Sequence, residues 1–258
     1  MTFNKSKVAL ALAVLVSGSA FAQAKAPEPE YTLSYNVGVV TDYRYRGISQ
    51  SAKDPALQGG VDYAHKSGFY LGAWGSTISW IKDTAPGYAK GSVEIDLYGG
   101  HKGEIGGGFT YDVGVLHYWY VNNNYKDLSG SSANTTEIYG AISYGPATLK
   151  YSHSTSDLFG FYDSEGSGYL DLSATFDLGG GWSVVPHVGH QKVKNYDSAS
   201  YTDYSVTLNK DLGDGWTASA AAVSTDFKSR NGYAVMLPGS GTKDLAKTGL
   251  VLGIKKSF

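Results

Sequence analysis

The chain has 258 residues, of which 17% are charged and 42% hydrophobic, with a formal net charge of −2 and no cysteine. The lack of cysteine excludes a disulfide framework and a thiolate metal site. The slightly acidic balance gives no support to nucleic-acid binding, which uses a basic face.

The N-terminus has the order of features of a Sec signal peptide. Lys5 and Lys7 precede the apolar run Val8–Val16, and Ala20–Ala22 is an A-x-A cleavage motif. The run is too short to span a bilayer, so we expect residues 1–22 to be cleaved rather than to anchor the protein. Cleavage removes two lysines and leaves 19 basic against 23 acidic residues, a net charge of −4.

After an extended leader at 23–30, the chain at 31–258 alternates apolar and polar residues in short segments. Period-two alternation indicates β-strands with one apolar face. The first strand is predicted over Tyr31–Tyr45, with Asp42, Arg44 and Arg46 following on its polar side. Eleven more strands are predicted around Leu57–Tyr63, Phe69–Trp80, Val93–Tyr98, Phe109–Tyr120, Glu137–Ser143, Ala147–Thr155, Leu170–Phe176, Trp182–Val188, Asp203–Leu208, Trp216–Asp226 and Thr248–Phe258. The alternation is poor in the third and the eleventh.

The connections between these segments alternate in length. Those after even-numbered strands are short and glycine-rich, and those after odd-numbered strands are long and polar. Bacterial outer-membrane barrels have an even strand number, short periplasmic turns and long outside loops. The sequence therefore predicts an all-β fold, a transmembrane antiparallel β-barrel of twelve strands, in contact with membrane lipid and with both chain ends in the periplasm.

The last strand has the features of a barrel-closing strand. Leu250, Leu252 and Ile254 alternate with small residues, and the chain stops at Phe258. In outer-membrane barrels such a strand is the signal that the insertion machinery recognises, so we interpret these four residues as an assembly signal and that machinery as a partner. Lys256 departs from the pattern, since the class usually has an apolar or aromatic residue there.

The region Tyr43–Ser76 contains two further motifs, R-G-I-S-Q-S and D-P-A-L-Q-G-G, and E-I-D-L-Y-G-G follows at Glu94–Gly100. With these motifs the chain resembles the proteobacterial TorF-type family of outer-membrane porins. The resemblance covers the first third of the chain after the signal peptide. It implies a porin in the outer membrane of a Gram-negative bacterium, and it implies no particular substrate.

Charged residues on the polar faces are the candidate lumen residues. The predicted pore-lining residues are Asp42, Arg44, Arg46, Glu94, Asp96, Glu137, Asp171 and Asp203. Together with Asp62, Asp112, Lys150 and Lys255 they make eight acids against four bases, which predicts a mild cation preference. Arg44 and Arg46 either narrow the outer half of the lumen or form salt bridges at the rim.

Two functions from different classes fit these features. The first is a narrow channel for passive diffusion of small polar solutes or ions. The second is a non-conducting structural or adhesive barrel whose long loops bind a surface partner. The sequence does not predict the oligomeric state.

Enzymatic and metal chemistry find little support. Ser152 and Ser154 adjoin His153 and so point to the opposite face of a strand, which disfavours a lipase-type nucleophile and base pair. His187 and His190 are three residues apart and fall on opposite faces, a poor metal pair. We expect no catalytic residue, no metal and no cofactor.

Overall fold

The computed structural model describes residues 29–227 and 244–258, which form a closed barrel of twelve antiparallel strands. The predicted signal peptide at 1–22 and most of the predicted leader lie outside the described residues. The strands are β1 (Tyr31–Val40), β2 (Ala56–His65), β3 (Phe69–Thr77), β4 (Val93–Gly106), β5 (Phe109–Tyr120), β6 (Thr135–Tyr144), β7 (Ala147–Ser154), β8 (Gly168–Ala174 and Phe176–Gly179, interrupted at Thr175), β9 (Trp182–Lys192), β10 (Tyr201–Gly213), β11 (Trp216–Thr225) and β12 (Gly249–Ser257).

Each strand pairs with its neighbours in sequence, and the first and last strands close the barrel. β12 lies antiparallel to β1, from Ser257 opposite Asn36 to Gly253 opposite Val40. The backbone of Phe258 extends this pairing, donating from its nitrogen to the Tyr35 carbonyl at 2.9 Å. The prediction of a twelve-stranded antiparallel barrel is confirmed.

Glycine on the inner face explains why the apolar–polar alternation is poor in the sequence of β3. In β3, a Cβ at Gly72 would lie 2.5 Å from the ring of Tyr98 on β4. In the other direction, a Cβ at Gly100 on β4 would lie 2.6 Å from the Tyr70 hydroxyl oxygen. Inward-pointing tyrosines thus lie over glycines of the next strand, an arrangement that pins register in designed sheets. The abundance of glycine and tyrosine in the sequence is explained in part by this packing of tyrosine rings against glycines.

The outer face of the barrel is apolar, as the alternation predicts. Leu33, Val37, Leu97, Val113 and Ile138 are among the large hydrophobic side chains exposed on it. Stacked aromatic pairs lie at one end, including Phe109 with Tyr144 at 4.5 Å between ring centroids. Among the described residues, no helix is long and apolar enough to cross a membrane.

The two ends of the barrel differ. At the short-turn end, five connections have two or three residues each, at 66–68, 107–108, 145–146, 180–181 and 214–215. At the long-loop end, the six connections are 41–55, 78–92, 121–134, 155–167, 193–200 and 226–248, of which 228–243 lie outside the described residues. In their described residues, the long loops carry two 3₁₀ turns, Lys82–Thr84 and Asp197–Ala199, and one helix, α1 (Tyr125–Ser129).

The buried apolar residues lie under the long loops and not at the middle of the barrel. The largest cluster includes Tyr43, Ile78, Ile81, Tyr118 and Tyr125. A second cluster packs Ile48 against Tyr201 and Leu245, and a third contains Leu158 and Val193. The long loops therefore form a packed layer over one mouth of the barrel. This layer positions the candidate site.

Candidate functional site

The first long loop contains a small hairpin that the sequence analysis did not predict. The first strand ends at Val40 and not at Tyr45, which corrects the predicted boundary. Arg44–Tyr45 then pairs antiparallel with Ile48–Ser49. The two residues between them, Arg46 and Gly47, have φ of 45° and 80°, the positive values of a type I′ turn. Asp42, Arg44 and Arg46 are therefore carried by a loop, not by the barrel wall.

The tip of this lumen hairpin (residues 44–49) touches the wall formed by β10 and β11. A Cβ at Gly47 would lie 2.5 Å from Thr225 Cγ2 and 2.8 Å from Asp203 Cβ. Only glycine fits this contact, because it has no Cβ and tolerates positive φ. The loop starts between β1 and β2, so the hairpin lies inside the mouth at the long-loop end and touches the wall two to three strands away.

Arg46 continues the crossing from the hairpin tip. Its Nη2 donates to Glu137 on β6 at 2.7 and 3.0 Å, and its Nη1 donates to Gln191 Oε1 on β9 at 2.6 Å. The guanidinium carbon lies 4.2 Å from the ring centroid of Tyr169 on β8. The Arg46 and Glu137 side chains are only 6% and 2% exposed. A planar guanidinium serves such a site because it bonds and stacks at the same time.

Arg44 has a different environment. Its Nε donates to Asp42 Oδ2 at 2.6 Å, and Ser49 Oγ donates to Asp42 Oδ1 at 2.5 Å. Arg44 Nη1 donates at 3.0 Å to the carbonyls of Gly47, Leu245 and Lys247. Arg44 thus holds the hairpin in shape and ties it to the segment before β12. Of the two alternatives for the arginines, Arg44 fits a salt bridge at the rim, and Arg46 fits a side chain that narrows the outer half of the lumen.

Glu94 and Asp96 lie near the long-loop end of β4, on its inner face. Tyr43 of the first long loop donates its hydroxyl to Glu94 Oε1 at 3.3 Å. Glu94 Oε2 and Asp96 Oδ1 are buried and have no hydrogen-bond partner among the described residues. This is the one place in the predicted set where buried carboxylate oxygens are left without a donor in the described part of the chain.

Asp171 and Asp203 lie on β8 and β10 and share a histidine. His187 on β9 places Nδ1 2.9 Å from Asp171 Oδ2 and Nε2 2.8 Å from Asp203 Oδ1. Tyr169 donates its hydroxyl to Asp203 Oδ2 at 2.9 Å. The spacing of His187 and His190 predicts opposite faces of the strand, and the register agrees. The bridge that His187 forms between the two acids was not predicted. The alternation of β9 could have predicted it, because that alternation places His187 on the inner face between two strands that carry inward-facing acids.

Two cavities occupy the lumen beside the hairpin. One, of about 590 Å³, lies beside the hairpin; most of its wall comes from β7 to β12, and Gln58, Trp74, Leu116 and Tyr118 line its other side. The other, of about 490 Å³, lies against the wall from β3 to β6. Lys150, at mid-height on β7 and opposite Asp171 in register, lines both.

The residues of the predicted assembly signal lie on the outer face. Leu250, Leu252 and Ile254 are exposed there, and Phe258 is exposed at the short-turn end. Lys256 shares this face, opposite Val37 and Trp216 in register. Its ammonium lies 5.5 Å from the ring centroids of both Trp216 and Phe258 and donates to the Asp214 carbonyl in the neighbouring turn. The cation turns towards the barrel end, as a snorkelling lysine does.

Comparison with known proteins identifies relatives at the level of family and fold. Residues 23–258 match the model of a family described as "Bacterial protein of unknown function (Gcw_chp)". No curated protein matches the chain. Among solved structures, the KdgM porin in complex with disordered oligogalacturonate is similar with a TM-score of 0.53 at 9% identity, covering 88% of this chain and 98% of that one. The NanC porin is similar with a TM-score of 0.53 at 12% identity, covering 87% and 99%. At these identities the likeness shows the barrel fold.

Proposed function

The chain belongs to the bacterial Gcw_chp family, and we propose that it is a narrow channel of the Gram-negative outer membrane. In this proposal the short turns are periplasmic, the long loops face outside, and small polar solutes or ions diffuse through the lumen with a mild cation preference. The TorF-type resemblance of the first third of the chain agrees with this assignment.

One observation carries the proposal: the lumen beside the hairpin holds two cavities into which charged and hydroxyl-bearing side chains project among aromatic and aliphatic ones. Their volumes, about 590 and 490 Å³, are each many times that of a water molecule, about 30 Å³. Polar walls around such spaces are typical of a hydrated path, whereas small barrels with filled interiors pack side chains against one another.

The cation preference rests on which charges are already paired. Of the twelve predicted inner-face charges, Arg44 pairs with Asp42 and Arg46 with Glu137. The remaining residues are the acids Asp62, Glu94, Asp96, Asp112, Asp171 and Asp203 and the lysines Lys150 and Lys255. Even with His187 between two of the acids, the wall stays predominantly acidic. Rings of acidic side chains favour cations.

A specific observation also favours the second function, a structural or adhesive barrel. The lumen hairpin and Arg46 bridge the mouth, and the long loops pack over it as a layer with its own buried apolar clusters. A permanently closed mouth would leave the loop surface as the functional part.

Single-channel recording of the purified full-length barrel in a planar bilayer separates the two. The channel proposal requires discrete, reproducible conductance steps, and a reversal potential in a potassium chloride gradient that favours potassium. The same preparation, unfolded by heating before addition, is the control. Folded barrel that inserts and yet gives no steps would favour the structural or adhesive function, and anion selectivity would remove the cation preference.

A further inference from the structure

The cavity between the lumen hairpin and the β3–β6 wall is aromatic on several sides. Tyr43 reaches it from the loop, Trp74 from β3, Tyr98 from β4 and Tyr139 from β6. An aromatic face attracts a cation placed over it because the ring quadrupole is negative there. The wall already holds one ammonium in this way, since Lys150 Nζ lies 4.0 Å from the ring centroid of Tyr139.

The hydroxyl groups of three tyrosines that line this cavity, Tyr43, Tyr70 and Tyr98, already donate hydrogen bonds to carboxylates. Tyr70 donates to Asp112, Tyr98 to Asp62 and Tyr43 to Glu94. Donation to a carboxylate fixes each ring and directs its hydroxyl proton away from a ligand. What the rings offer to the cavity is therefore their faces and edges, with few free donors.

Asp96 is the unsatisfied group of this cavity. It lines the space and is 9% exposed, and its Oδ1 has no hydrogen-bond partner among the described residues. Glu94, 1% exposed, precedes Asp96 by two residues on the same face of β4, and its Oε2 also has no hydrogen-bond partner in the described part of the chain. Two adjacent buried carboxyl groups are stabilised by a shared proton or by an external cation.

Four other acids of the lumen differ from Asp96 and Glu94 because each has a basic side chain as a partner. Asp171 and Asp203 are bridged by His187, Asp42 is held by Arg44, and Glu137 by Arg46. Only the Asp96 side of the lumen combines aromatic faces with buried carboxylate oxygens that lack a donor in the described part of the chain.

We infer that this cavity binds a small organic ammonium ion, its positive group against Asp96 and its carbon skeleton against Trp74 and the tyrosine rings. The inference deepens the proposed function, because it names a class of solute for the lumen. A neutral polar solute can also donate to Asp96, but it lacks the charge that the carboxyl pair and the ring faces favour.

The test measures binding at equilibrium by titration calorimetry on the folded full-length barrel in detergent, so it does not depend on conductance. The probe is butylammonium, and 1-butanol is the neutral molecule of similar shape. We expect saturable binding of butylammonium and little of butanol. Asp96→Asn should weaken butylammonium binding about tenfold or more, because the ammonium would then donate to a neutral amide oxygen instead of a carboxylate.

The matched control is Asp214→Asn, which removes one negative charge in a turn at the short-turn end. Asp214 has φ 49°, a conformation that asparagine tolerates, so this variant should fold and bind like the parent. Trp74→Leu, a second variant that leaves every carboxylate in place, should also weaken binding. Gel mobility of unheated samples verifies folding in each case.

Equal binding of butanol and butylammonium would overturn the inference, as would unchanged binding in Asp96→Asn, since the carboxyl pair would then hold only its proton. Absence of conductance with intact binding would instead contradict the channel and leave the ammonium site standing.

Discussion

Arg46 and Glu137 are 91 residues apart in sequence, yet their guanidinium and carboxylate meet at 2.7 Å across the mouth of the barrel, both almost fully buried. A buried ion pair is specific in geometry, and removal of one partner leaves a charge uncompensated. This pair, with the Gly47 contact, holds the lumen hairpin across the path that a solute would take.

The first prediction concerns Arg46. Arg46→Ala should raise single-channel conductance by about twofold or more, because the side chain that reaches Glu137 and Gln191 through the lumen is gone. It should also strengthen the cation preference, since Glu137 loses its partner. Arg44→Ala is the comparison: Arg44 holds loop carbonyls and pairs with Asp42 beside the wall, so this variant should change gating noise more than mean conductance. Parent-like conductance in Arg46→Ala would show that the bridge does not limit the pore.

The second prediction uses the tip of the hairpin. Gly47→Ala should prevent the tip from reaching the wall, because the new Cβ would collide with Thr225 and Asp203 at a residue with φ 80°. Gly87→Ala is a matched control, since Gly87 has φ 84° but no atom within 4 Å of the added Cβ. Backbone strain of about 1–3 kcal/mol is common to both variants, and the collision belongs to Gly47 alone.

We expect Gly47→Ala to increase open-channel fluctuations and the rate at which trypsin cleaves the first long loop, and Gly87→Ala to do neither. Equal behaviour of the two variants would mean that only strain, and not the wall contact, matters at the tip.

The hairpin turn at Arg46 and Gly47 also shows how much of the structure the sequence could predict. Strand alternation and loop lengths predict the number, order and direction of all twelve strands, because a barrel wall is a local, period-two pattern. The polar residues after the first strand continue its parity as far as Arg46, so the alternation extended that strand by five residues. At Arg46-Gly47 the chain instead forms a two-residue turn with positive φ, and this turn ends the alternating pattern.

What the hairpin touches could not be predicted. Thr225 and Asp203 lie more than 150 positions further along the chain than Gly47, and no periodicity relates a loop to the wall it reaches. The same holds for His187, whose role follows from two acids on the strands either side of it. Strand parity predicted an inward orientation for Glu94, Asp96, Glu137, Asp171 and Asp203, whereas Asp42, Arg44 and Arg46 lie in a loop where that parity does not apply. The partners of all these side chains follow only from the closed barrel.

The third prediction concerns assembly. Deletion of Phe258 should lower the amount of folded barrel in the outer membrane, because the residue is proposed to be read by the insertion machinery and its backbone extends the pairing of β12 with β1. Lys256→Tyr should be tolerated, since an aromatic ring suits the interface beside Trp216. Heat-modifiable gel mobility of membrane fractions measures both. Equal folded levels with and without Phe258 would contradict the assembly signal.

The last prediction concerns the lysine between the two cavities. Lys150 lines both of them at mid-height, with its ammonium against Tyr139 and its backbone opposite Asp171. Lys150→Gln should therefore strengthen the cation preference, measured as a shift of the reversal potential, because a positive charge beside the path of the ions repels passing cations at short range, where salt screens it little. Lys255→Gln removes the same charge near the short-turn end, where Lys255 is exposed and salt screens it within about 8–10 Å. We expect the Lys150 variant to shift the reversal potential by several times more than the Lys255 variant at 0.1 M salt. Equal shifts would place the selectivity of the channel at its mouths and not in the two cavities.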